Sequence, residues 1–414
     1  MKFEPPVPTE WSHQDEESLN QLLHELDRIV VRDDGSMSAT GARIGEMLAE
    51  ICNPLLTPEP APGRAASRSD YWRPFRNGEK KLSDFFRKWA KFVPNPKDPS
   101  KYIVFWDDLA NTRSGLRLIN DDARFKAWFS RFLDVHGAWL NSTSSTSTIQ
   151  KWMDYKVTSG HPFNIDDYEV PKGGFKSFNQ FFLRNVKPEK RPMCSKADKD
   201  GVVVAPCDGG VFYLTHGELE GNAYELPHKS GDLFQLDEAL PGYGPAFRGG
   251  PLLDILLWFT DYHHFHAPVT GTVIHQGVYD GLYNYDFDDF DWEDPYAPAL
   301  SPTSDRVGWY ENLGKHKRYV WILRTEDLGL VAMCAIGFWG VGSITSATSE
   351  GDRLEKGQYM GHFGYGGSSI VLAFEPGLGM QFAVGDTPVS DPDNPVLMKV
   401  HQCLGRRAKP LRWS

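Results

Sequence analysis

Apolar positions recur every three or four residues early in the chain: Leu19, Leu22, Leu23, Leu26, Ile29 and Val30, then Ile44, Met47, Leu48 and Ile51. That spacing lines one side of a helix and predicts two amphipathic helices. The sets Leu82, Phe85, Phe86, Trp89, Phe92 and Phe125, Trp128, Phe129, Phe132, Leu133 predict two more, with aromatic stripes facing a core. The Pro-rich run 56–63 reads as a linker and the Ser/Thr run 141–148 as a polar loop. From about residue 165 the texture changes. Short β-branched or aromatic runs at 202–205, 211–214, 272–278, 319–324, 329–337 and 370–375 alternate with Gly, Pro and Asp and predict strands. The pattern gives an α+β fold, with a helical N-terminal domain over 1–165 and a β-rich domain over 166–414.

Composition narrows the function classes. A formal charge of −11 disfavours nucleic acid or an anionic membrane surface as the main partner. No stretch approaches the ~18 apolar residues of a membrane span, so a soluble chain without stable membrane insertion is expected. The five cysteines, Cys52, Cys194, Cys207, Cys334 and Cys403, are scattered and odd in number, which predicts free thiols in a reducing, cytoplasmic setting. The start of the chain shows neither a signal peptide nor a transit pattern.

Three segments carry candidate chemistry. Gly361 to Ser369 ends in Gly366-Gly367-Ser368-Ser369, followed by the apolar run Ile370 to Phe374. Glycine lets a neighbouring hydroxyl approach a carbonyl closely, so Ser368 Oγ is placed to attack the Gly367 carbonyl. The second segment is Val202 to Val211, a β-branched run broken by Pro206, Cys207, Asp208 and Gly209. The third is Asp261-Tyr262-His263-His264-Phe265-His266-Ala267-Pro268. Taken singly, Asp208-Gly209 reads as a turn and each histidine as a core group. The His263-x-x-His266 spacing is not taken as a metal site, because it lies on strand and loop without paired cysteines. Cys207 is a rival nucleophile whose simpler role is packing.

In combination these segments resemble the phosphatidylserine decarboxylase family of pyruvoyl enzymes. Phe175 to Arg184 with Arg191-Pro192, and Val341-Gly342-Ser343-Ile344, add to the match, which covers roughly residues 170 to 380. The resemblance implies self-cleavage between Gly367 and Ser368, with Ser368 converted to a pyruvoyl group that serves in place of pyridoxal phosphate or a metal. It places Asp208 and His266 as the carboxylate and base that activate Ser368. His263 takes the role of proton donor after carbon dioxide leaves a Schiff base with the substrate amine. Large and small fragments are expected to stay associated.

The N-terminal half, notably Asp108 to Leu116 and the helix after Phe125, is similar to the soluble fungal L-tryptophan decarboxylases of that family. An aromatic amino acid, tryptophan first, is therefore the expected small-molecule substrate, with phosphatidylserine or another small carboxylic acid as the alternative. Lys315, Lys317 and Arg318 are candidates for a carboxylate or phosphate contact. The segment 280–302 alternates acids and aromatics and is read as a solvated loop or a lid over the pocket.

Overall fold

The computed structural model describes residues 3–52, 68–110, 112–158, 162–199, 201–215, 223–225, 233–281, 316–338, 343–365, 367–385, 387–389 and 396–408. The 280–302 loop beyond Gly281, Lys315 and Val341-Gly342 lie outside these residues.

Seven helices lead the chain: α1 His13–Val30, α2 Ala39–Ile51, α3 Arg68–Arg76, α4 Leu82–Ala90, α5 Lys101–Ala110, α6 Arg113–Asp121 and α7 Ala123–Asn141. Several begin where a side chain accepts an otherwise unpaired backbone N–H. Ser12 caps α1 in a capping box with Asp15, Ser38 caps α2, Thr112 caps α6 and Asp122 caps α7. The four helices expected from apolar spacing are present. α4 and α7 meet through their aromatic stripes, with α5 against them: Phe86 of α4 contacts Trp128, Phe129 and Phe132 of α7 and Trp106 of α5 at ring separations of 4.8 to 6.2 Å. Trp128 Nε1 donates to Leu22 O of α1 at 2.8 Å, so the indole is buried without losing its hydrogen bond.

An eight-stranded antiparallel sheet lies beneath the helices. Its order is Arg353–Leu354, Gly271–Tyr279, Arg318–Arg324, Leu330–Phe338, Gly367–Phe374, Leu252–Leu257, Gly209–Thr215 and Val396–Met398. The pleat sends alternate residues to opposite faces. Leu252, Leu256, Val320, Ile322, Val371 and Ala373 join the helical core, whereas Leu253, Ile255, Trp321, Leu323, Ile370 and Leu372 join a second core. That second core is closed by a three-stranded sheet containing His264–His266 and Tyr359–Phe363 and by a four-stranded sheet containing Val202–Val204 and Cys403–Arg407. The fold is α+β, and the central sheet is apolar on both faces because both are covered.

The expectation of five free thiols is corrected. Cys194 and Cys403 form a disulfide across 209 residues of sequence, while Cys207 and Cys334 are free thiols. Strand Cys403–Arg407 pairs with Val202–Val204, and Cys194 N donates to His401 O at 2.9 Å, which brings the two cysteines together. No helix among the described residues is long and apolar enough to cross a membrane.

Phe86 is fully buried at the centre of the aromatic cluster. Phe86→Ala is expected to lower unfolding free energy by ~3–5 kcal/mol in urea titrations, through lost transfer energy and the cavity left behind. A loss below ~1 kcal/mol would contradict the packing described.

Candidate active site

The Phe175–Arg184 segment supports the histidine segment. Leu183 O accepts from His264 Nε2 at 3.1 Å, and Arg184 Nη2 donates to Thr260 O at 3.0 Å. The Phe182 ring lies 4.3 Å from that of His263. Arg184 is itself buried and seated over Tyr168, 4.0 Å from the ring centre. These contacts fix the chain entering Asp261–His266 from one side.

Asp208 precedes the Gly209–Thr215 strand, and Gly209 is required there. Its φ is +153°, and a Cβ would sit 2.5 Å from Leu256 O. The Asp208 carboxylate has no exposed surface. Arg191 grips it with Nε to Oδ1 at 3.0 Å and Nη2 to Oδ2 at 2.7 Å, Val400 N donates to Oδ1 at 2.9 Å, and Lys399 Nζ lies 3.1 Å from Oδ2. Burial alone would raise its pKa; Lys399 and Arg191 outweigh that and hold it below the ordinary carboxylate range.

His266 Nδ1 lies 2.8 Å from Gly357 O, which can only accept, so Nδ1 carries the proton and Nε2 keeps its lone pair. His401 Nε2 lies 3.2 Å from both atoms, and Tyr262 Oη makes a long contact of 3.4 Å to His266 Nε2. His401 holds φ +74°, a left-handed conformation uncommon outside glycine, and its Nδ1 meets Arg191 O at 3.1 Å. Burial first, then His401, pushes His266 down to about 4, so the ring is a neutral base near pH 7. The carboxylate–imidazole hydrogen bond implied for Asp208 and His266 is not formed. Asp208 is taken by Arg191 and Lys399, and its only direct action on the His266 ring is through its charge.

Ser368 sits in the central sheet opposite Leu257 on one side and Gly337 on the other. Its Oγ is buried and has no hydrogen-bond partner among the described residues. Ser369 instead donates to Asp254 Oδ1 in the neighbouring strand. His263 Nδ1 meets Asp261 O at 3.0 Å, and its Nε2 is buried without a partner. Burial pushes His263 down to about 4, Asp261 opposing only in part. Strand pairing places Gly210 beside Leu256 and Ser368 beside Leu257, so the Asp208 loop and Ser368 flank the same strand. The Cys207 thiol is buried and pushed well up by desolvation and then Asp208, which removes the thiolate a nucleophile needs.

Sequence reasoning missed Lys399, His401 and the Ser369–Asp254 pair, and it found Arg191 without its role. Nothing in local spacing marks them, since each acts on a residue more than a hundred positions away or, for Arg191, across a turn.

The β-rich part of the chain thus holds a buried serine after glycine, two neutral histidines and a caged carboxylate; among the described residues no hydrogen bond joins Ser368 Oγ to His263 or His266. The sequence model of the phosphatidylserine decarboxylase family matches residues 178–390, and the chain belongs to that family. It is similar to phosphatidylserine decarboxylase proenzyme 2 of Oryza sativa subsp. japonica, 29% identical over 70% of this chain and 43% of that protein. It is also similar to phosphatidylserine decarboxylase proenzyme 3 of Schizosaccharomyces pombe, 27% identical over 64% of this chain and 26% of that protein. An L-tryptophan decarboxylase of Psilocybe cyanescens is 25% identical over 62% of this chain and 59% of the relative. The matched region spans less than two-thirds of the length of each of these relatives.

His136, His263, His266 and His362 are each lowered from 6.5 to about 4, by burial above all. Neutral in the folded chain, they contribute stability in full above pH 6.5 and lose it as pH falls through 4, because the unfolded chain takes up protons first. The urea midpoint should therefore drop steadily between pH 7 and 5, each histidine adding up to ~1.4 kcal/mol per pH unit. A flat profile over that window would show that these rings are solvated.

Proposed function

We propose that the chain is a self-processing decarboxylase that cuts itself between Gly367 and Ser368 and acts on an aromatic amino acid, tryptophan first. The observation that carries the reading is the Ser368 hydroxyl, buried and unpaired, directly after a glycine in the central sheet. A buried polar atom without a partner is costly and calls for a functional reason. His266 Nε2 takes the hydroxyl proton as Ser368 Oγ attacks the Gly367 carbonyl, and the peptide bond becomes an ester. Loss of the Ser368 α-proton then expels the Gly367 carboxylate and leaves dehydroalanine. Water releases ammonia from it to give the pyruvoyl group. That group supplies an electrophilic carbonyl and electron sink for decarboxylation. His263 Nδ1 faces Asp261 O, so its Nε2 rests as a lone pair; it takes the proton that the substrate ammonium sheds on forming the Schiff base and returns it to the product carbon.

Under this reading residues 368–414 form a separate fragment of 47 residues, held by the Cys194–Cys403 disulfide. Non-reducing gels should show a single species and reducing gels two, the smaller blocked to Edman degradation by its pyruvoyl end. An intact chain under reducing conditions would refute self-cleavage. Ser368→Ala and His266→Ala should stay uncut, while His263→Ala should be cut yet turn over ~10²–10⁴-fold more slowly.

A second reading, phosphatidylserine as substrate, is favoured by the names of the rice and fission-yeast relatives. Tryptamine formation from tryptophan without liposomes supports the first reading. Turnover of phosphatidylserine in mixed micelles with every aromatic amino acid ignored supports the second.

A further inference from the structure

A cavity of about 270 Å³ lies where the helices meet the sheet, lined by Trp89, Ile103, Leu133, His136, Lys317 and Tyr365. It is just below the ~300–1,000 Å³ typical of ligand sites, room for a compact ring and not for acyl chains. Its walls come from α4, α5 and α7 on one side and from the segment leading to Ser368 on the other. Tyr365 precedes Ser368 by three residues, at most ~11 Å of extended chain. Lys317 O accepts from Gly337 N at 3.0 Å, and Gly337 is the strand partner of Ser368. The cavity thus lies beside the proposed cut.

One atom in the lining lacks what it needs. His136 is 6% exposed and projects from α7. Its Nδ1 lies 3.1 Å from Ala90 O, a group that can only accept, so Nδ1 carries the ring proton. Nε2 is left as a bare acceptor, buried and without a partner among the described residues. Burial pushes the ring down to about 4, which keeps that lone pair free at neutral pH. The surroundings are aromatic: Phe132, Trp89 and Tyr365 lie 6.4 to 6.5 Å from the imidazole centre.

We propose that this cavity receives the side chain of an aromatic amino acid bearing a ring donor, with His136 Nε2 accepting its N–H or O–H. The inference rests on the aromatic amino acid reading above and assigns that substrate its binding pocket. Indole and phenol present both the flat apolar face that Trp89 and Tyr365 accommodate and the single donor that His136 lacks. A phenyl ring leaves the acceptor unpaired, and an acyl chain brings no donor. Lys317 and Asp134 add one charge of each sign to the lining.

Blocking the donor without changing the protein is the direct test. Wild-type enzyme should turn over tryptophan with a kcat/KM roughly 10–100-fold above that for 1-methyltryptophan, the range expected when a buried acceptor is left unpaired. His136→Phe should shrink that preference below about threefold, and His136→Gln, which can still accept, should restore much of it. A preference unchanged in His136→Phe would mean that the methyl group is rejected by bulk alone and would overturn the assignment. Saturation-transfer NMR with indole and 1-methylindole on the same proteins needs no turnover. Indole binding that is lost in His136→Phe and retained in His136→Gln supports the pocket even if no amino acid is decarboxylated, in which case the parent reading fails by itself. Equal indole binding by all three proteins overturns the pocket.

Discussion

A carboxylate removed from water must have its solvation replaced group by group, and the site depends on how this is done for Asp208. Two nitrogens of Arg191, the Lys399 ammonium and the Val400 amide surround it. Removing one partner of such a buried cluster strands the others, at a cost on the order of 3–5 kcal/mol. The cluster therefore works as a clamp on three distant stretches of chain. It fixes Arg191, whose carbonyl meets His401, and it fixes Lys399 and Val400, which lead directly into His401. His401 in turn meets His266. Asp208 governs the proposed base through these covalent and hydrogen-bonded links more than through contact with its ring.

The same links bear on how a cut chain would hold together. Residues on the C-terminal side of the Gly367–Ser368 bond supply a central strand, paired with Leu330–Phe338 and Leu252–Leu257, and also Lys399, His401 and Cys403. Hydrogen bonds, an ion cluster and a disulfide thus cross from one side of that bond to the other. The central strand is apolar on both faces, so its departure would expose two cores at once.

Much of this fold was legible in the sequence because helices and strands announce themselves by period. The stripes ending in Phe92 and Leu133 became α4 and α7, and the β-branched runs became strands, all in the central sheet except Val202–Val204 in the four-stranded sheet. α5 and the Leu252–Leu257 strand were not foreseen. The first is apolar almost all round, and the second, Leu252-Leu253-Asp254-Ile255-Leu256-Leu257, lacks alternation because both its faces are buried. In the site, motif order brought out Asp208, His263, His266 and Ser368, but not how they are wired. Whether a carboxylate meets a histidine or an arginine is set by tertiary geometry. The same holds for the disulfide, whose cysteines are joined by strand pairing and carry no motif.

The start of the family model has a physical counterpart. That model begins at Phe178, and all of Ser368, His263, His266, Asp208 and Arg191 lie within it, while the match to the rice relative reaches back into the helical part. Helices α4 and α7, which bring Trp89, Leu133 and His136 to the cavity, lie before it. A sheet that must hold a buried serine, an ion cluster and two histidine segments in register tolerates little change. The helical layer touches that sheet mainly through apolar packing, which accepts many sequences of suitable volume. The proposed chemistry therefore lies in the part that the family model covers, and the helical layer laid over it is freer to set which side chain the cavity admits.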